Sequence, residues 1–144
     1  MDAAFSQKPQ LPVAGRISAA AGLAGIAAAG AAVWYFDPVR SNFFPACALY
    51  SMTGYACPGC GLTRGFHALF HGDLVTALDH NALIPLFALA LAFVVLSLFS
   101  IAIRGKGLVG WSASPPILIG LLAVLIIFGL LRNLPYYPFT LLFP

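Results

Sequence analysis

Between Cys47 and His71 the chain gathers all three of its cysteines and two of its three histidines. The densest part is Cys57-Pro58-Gly59-Cys60-Gly61-Leu62-Thr63-Arg64. A Cys-x-x-Cys pair can hold a metal ion, cycle as a redox disulfide, or simply fix a turn. Pro-Gly between the thiols favours a tight turn, which places Cys60 at the start of the helical pattern that follows. At a helix start the dipole and free N–H groups lower a thiol pKa. A metal site needs further ligands, and His67 and His71 stand one helical turn apart. Cys57, Cys60, His67 and His71 have the right ligand types for zinc, although the spacer between the pairs is half the usual length. Cys47 either completes a three-thiolate site with His67 or His71, pairs with Cys57 or Cys60, or is a small buried hydrophobe. The plainer reading of all three thiols is structural: a disulfide or buried cysteines that hold the turn.

A second group of residues carries charge. Arg64 and Arg132 each sit beside a polar neighbour, Thr63 and Asn133, in otherwise apolar surroundings. Charge at membrane depth is costly unless it is paired or used. Pairing with Asp73 and Asp79 would make a polar cluster, whereas an open arrangement would bind an anion or a lipid headgroup. His67, His71 and His80 titrate near neutral pH in principle. There is no Ser-His-Asp order, no pair of carboxylates and no phosphate-cradling loop, so hydrolase and transferase chemistry finds no support.

The elements that position these residues are mostly hydrocarbon. With 61% hydrophobic and 8% charged residues and a mean hydropathy of +0.95, a chain of 144 residues cannot hide its apolar surface in one soluble core, so its solvent is lipid. A net charge of +3 without a basic stripe gives no reason to expect nucleic acid as a partner. The fold predicted is an all-α membrane protein with three transmembrane helices, at about 16–36, 82–103 and 116–132. Residues 1–15 form a polar tail. Residues 37–81 form a cysteine-bearing loop with a short interfacial amphipathic helix, and 134–144 an interfacial tail. Leu62, Phe66, Leu69 and Phe70 make the apolar stripe of that helix, and Arg64, His67 and His71 its polar one. Asp73 is placed to cap a turn of helix from Leu74. In the first span Ala21, Gly25 and Ala29 recur every four residues, the small-residue pattern of close helix packing. Trp34, Tyr35 and Trp111 belong at the membrane interface. The competing reading of the first span is a secretory signal peptide.

Three crossings put the 37–81 segment and the C-terminal tail on one side. Lys8, Arg16, Arg104 and Lys106 lie on the other, against Arg40, Arg64 and Arg132 on the cysteine side. The positive-inside rule then leans to a cytoplasmic N-terminus.

The ordered set Cys47, Thr53-Gly54, Cys57 to Arg64, Gly72-Asp73, Asn81 and Arg132-Asn133-Leu134-Pro135 resembles a family of small bacterial integral membrane proteins of unknown function. Its signature is Cys-Pro-x-Cys-Gly-x-Thr-Arg with a terminal Arg-Asn-x-Pro. Where that family follows its Asn with Pro, this chain has Ala82, and the proline comes at Pro85. The resemblance implies a multi-pass protein of the bacterial cytoplasmic membrane and is silent on chemistry. The function expected from all this is non-catalytic: a scaffold or accessory subunit that contacts the bilayer and other membrane proteins. The alternatives are a metal-binding (zinc) or thiol-redox protein centred on Cys57 and Cys60, and a lipid or anion binder using Arg64 and Arg132.

Overall fold

The computed structural model describes residues 12–41, 44–108 and 115–142. Lys8 and most of the N-terminal tail, and the turn bearing Trp111, lie outside the described residues. Among those described, all regular structure is helical: α1 Val13–Tyr35, α2 Ala48–Thr53, α3 Leu62–Phe70, α4 Leu74–His80, α5 Ile84–Arg104, α6 Pro115–Leu131 and a 3₁₀ turn at Phe139–Leu142.

Helices α1 and α5, 23 and 21 residues long, are long and apolar enough to cross a bilayer. Only 6% of the apolar window of each is buried by the protein itself. The core helix of a soluble protein would be mostly covered, so these bare hydrocarbon faces suggest a membrane protein. The expected third span corresponds to α6, which has 17 residues and is therefore only about 25 Å long.

The chain forms two compact units. In the first, Met1–Ala29 with Leu89–Ser112, the start of α1 lies along the end of α5. A Cβ on Gly22 would meet Leu98 Cδ1 at 3.4 Å, and Ala19, about one helical turn earlier, is buried. Arg16 donates from Nε to the carbonyl of Ala102 at 3.0 Å and from Nη2 to that of Ile103 at 2.9 Å. Those carbonyls belong to the last turn of α5, where no intrahelical donor remains and positive charge is favoured. The Ala21, Gly25 and Ala29 stripe is exposed, and a Cβ on Gly25 would meet nothing within 4 Å. Close packing within the chain therefore uses Gly22.

The second unit, Gly30–Ala88 with Ala113–Pro144, contains the loop segment. It holds the expected stripe helix α3 and the Asp73-capped helix α4, with an unexpected short helix, α2, before them. Gly72 at φ +82° makes the break between α3 and α4. Asp73 then caps α4, accepting from the Thr76 N–H at 3.0 Å and the Thr76 hydroxyl at 2.6 Å. Ala68, Ala77 and Ile84 form the core between these helices, flanked by Leu62, Phe66 and Leu69. That seam depends on Gly65, where a Cβ would lie 2.6 Å from Ile84 Cδ1 and 3.1 Å from the Ala77 carbonyl.

Candidate functional site: a three-thiol centre over a buried arginine

The turn from Cys57 to Cys60 closes through the Cys60 N–H bonding the Cys57 carbonyl at 3.0 Å. Gly61 follows at φ +81° as the cap of α3, a left-handed conformation that glycine adopts without penalty. The Cys57 N–H also points at Cys60 Sγ, 3.2 Å away. Cys47, the residue before α2, brings its sulfur to 3.4 Å from that of Cys57. The Cys57 and Cys60 sulfurs are 3.3 Å apart, and all three lie within 4.8 Å of one another. These separations are far longer than a disulfide bond of about 2.0 Å. They fall a few tenths short of the roughly 3.8 Å between thiolates arranged tetrahedrally around zinc. Each cysteine is free.

Residues distant in sequence grip this turn by its carbonyls. Arg132 donates from Nη1 to the Cys57 carbonyl at 2.9 Å and the Cys60 carbonyl at 3.2 Å. Asn81 donates from Nδ2 to the Pro58 carbonyl at 2.8 Å and also to that of Cys60 at 3.1 Å. Its Oδ1 accepts from the Leu83 N–H at 2.9 Å, just ahead of α5. Asn133 pairs with the backbone of Ala56 in both directions, each bond 2.8 Å. Helix α6 comes this close because of Gly129, where a Cβ would stand 3.0 Å from Pro58 Cγ. The carbonyls of residues 56, 57, 58 and 60 are thus all engaged, so the sulfurs hang from a fixed backbone.

Arg132 is the unusual member. It is 0% exposed, with its guanidinium carbon 5.1 Å from the centroid of the Phe128 ring. Its Nε and Nη2 are buried without a hydrogen-bond partner. Arg40 with Asp37 makes the one ion pair found among the described residues, so no carboxylate there balances Arg132. A buried guanidinium requires a counter-charge, and the three cysteines supply the nearest ionisable groups.

The thiols are not equivalent. The backbone amide of Tyr50, with the neighbouring thiols, holds Cys47 down to about 7. Burial, with hydrogen bonding to the other two sulfurs, pushes Cys60 up to about 12. This reverses the expectation that the helix start would activate Cys60: loss of solvent outweighs the dipole there.

The other expected ligands are elsewhere. His67 donates from Nδ1 to the Val33 carbonyl at 2.6 Å, capping the end of α1, and His71 donates to the His67 carbonyl at 2.8 Å. The two imidazoles meet at a tilt, their centroids 4.4 Å apart, and His71 stacks on Trp34. Neither joins the sulfur cluster. Asp73 is engaged by Thr76, not by Arg64 or Arg132. Thr63 and Arg64 line a cleft of about 670 Å³ together with Cys47, Cys60, Tyr50 and, among others, Ser41 and Pro45. Arg64 is exposed there while Arg132 is enclosed, so the two arginines do not form one anion pocket. Asn81 is the residue that sequence reasoning left without a role. Its only signal was its place in the family-like series of residues.

Residues 47–95 match the model of a family described as a protein of unknown function (DUF2752). The matched stretch carries the three cysteines and Asn81, while Arg132 and Asn133 fall outside it. The comparisons with curated proteins and with solved structures found no match.

Proposed function

We propose that this chain is a membrane metal-binding protein in which Cys47, Cys57 and Cys60 hold one soft metal ion, zinc first among the candidates. The observation that carries the reading is the pairing of three clustered sulfurs with a buried arginine that has no carboxylate partner among the described residues. Three thiolates around a divalent ion leave one net negative charge, which a single guanidinium balances. A disulfide within the trio would remove two of the three thiolates and leave Arg132 at most one sulfur charge beside the carbonyl dipoles. That argument favours metal over thiol–disulfide cycling, and it favours both over a scaffold, for which the exposed Ala21/Gly25/Ala29 stripe is the remaining support. Sulfur donors of this kind select zinc, copper(I) or iron–sulfur chemistry rather than calcium or magnesium.

In this reading α6 is a third crossing, completed by its flanking residues, and the thiol centre lies at one membrane face. The family resemblance supports a bacterial cytoplasmic membrane, and the distribution of Lys and Arg supports an N-terminus inside. The test is metal analysis of protein purified in mild detergent without chelator, beside thiol counting under denaturation. About one metal per chain, lost in Cys57→Ser, supports the reading. Metal-free protein with a single titratable thiol would replace it with a disulfide.

A further inference from the structure

We infer that the metal held by the three cysteines is completed from outside the chain, by a small anionic thiol that enters the cleft beside Arg64. The inference rests on the metal reading and extends it to a ligand class.

Three observations carry it. First, the sulfur cluster offers three ligand atoms, and among the described residues no histidine, carboxylate or fourth cysteine joins it. Zinc prefers four ligands, and a site with three protein ligands leaves one position for an exchangeable group. Second, Cys47 and Cys60 themselves form part of the wall of the 670 Å³ cleft, so the open position has a route to a cavity. That volume lies within the range of small-molecule pockets and far exceeds the share of one water or halide. Third, the charges are ordered. Arg132, enclosed behind the turn, already offsets the single negative charge of a trithiolate centre. An added anionic thiol brings a negative charge on its metal-bound sulfur and another on its carboxylate, and Arg64 stands on the cleft wall, with the Thr63 hydroxyl next to it, where it can balance the carboxylate. A thiolate suits the soft metal, and a carboxylate on the same molecule suits guanidinium and hydroxyl donors.

Cobalt(II) replaces zinc as an optical probe of the centre. The cobalt-loaded protein is titrated with mercaptoacetate and with uncharged 2-mercaptoethanol, following the ligand-field and sulfur-to-cobalt bands. The expected result is a saturable band shift with mercaptoacetate at about a tenfold lower concentration than with 2-mercaptoethanol, a charge-assisted contact being worth that much. Arg64→Gln loads cobalt equally and brings the two probes to within about threefold, while Arg64→Lys keeps most of the preference. If Arg64→Gln does not load, the wild-type preference is measured from about 0.05 to about 0.5 M salt, where screening must erode it. Cobalt loading with no band shift, bleaching through loss of cobalt, or equal response to both probes overturns the inference and leaves the metal centre standing. Failure to load any metal overturns both.

Discussion

Arg132 reaches back 75 positions in sequence to donate to the carbonyl of Cys57 at 2.9 Å, so the last residues of the α6 segment hold the turn that displays the thiols. The bond sets two costs against each other. Enclosing a guanidinium is expensive, and so is withdrawing a charged donor from the Cys57 and Cys60 carbonyls, which would then keep only the Cys60 N–H and the Asn81 amide. A negatively charged thiolate centre resolves both. Arg132→Met is therefore expected to cost about 2–3 kcal/mol of stability and to weaken metal binding at least about tenfold. Arg132→Lys, a point charge without the planar fork, falls between. Unfolding in detergent and competition with a chelator check the two effects separately. Tight metal binding by Arg132→Met would remove the counter-charge argument.

Asn81 is 1% exposed and joins the turn to the start of α5 through three hydrogen bonds. Asn81→Ala takes the side-chain partner from the Pro58 carbonyl and the Leu83 N–H and leaves the Cys60 carbonyl to Arg132 alone, for a loss of about 2–3 kcal/mol. Asn81→Asp keeps the acceptor for Leu83 but sets a carboxylate against the carbonyls of Pro58 and Cys60, so it rescues little. Comparison of the two variants by thermal unfolding is decisive, because recovery by Asp would mean that the carbonyl contacts count for nothing.

Gly65 sits where a methyl group would overlap Ile84, itself 0% exposed. Gly65→Ala is expected to destabilise the α3–α4 seam by about 1–3 kcal/mol. Adding Ile84→Val to that background should restore part of the loss, whereas Ile84→Val alone should cost about 1 kcal/mol. Additive losses in the double mutant would rule out the steric account.

Thiol reactivity in the metal-free protein should be ordered. With its pKa held near 7, Cys47 is about half thiolate at neutral pH, against a few per cent for an ordinary cysteine. Iodoacetamide labelling followed by peptide mass spectrometry should mark Cys47 first, with its rate levelling above about pH 8. Cys60, pushed to about 12 by burial, should label last. Because metal must displace the Cys60 proton, affinity should rise with pH, by at least about tenfold per unit between pH 7 and 9. First labelling at Cys60 would restore the helix-dipole reading of that residue.

Much of the fold was legible because hydrocarbon length and helical period are local signals. The two long spans, the α3 stripe and the Asp73 cap all follow from neighbours within four residues. The site was half legible. The Cys57–Cys60 turn announces itself, but the ten-residue approach of Cys47 has no period to read. His67 and His71 share a helix face, as ligands would. Their fate was decided by the open carbonyl of Val33, 34 residues earlier. Charge alone points Arg132 to a carboxylate, yet its partners are backbone carbonyls, which every sequence contains and none advertises. Helix α2 was hidden in an apolar loop too short for any periodicity to show.

The central claim is tested most directly by X-ray absorption at the metal edge of protein isolated with its native metal. The account predicts about one zinc per chain with three sulfurs near 2.3 Å and one further donor, the sulfur count falling when Cys47 is replaced by serine. A first shell of nitrogen and oxygen, or a Cys47→Ser protein with an unchanged sulfur shell, would contradict it.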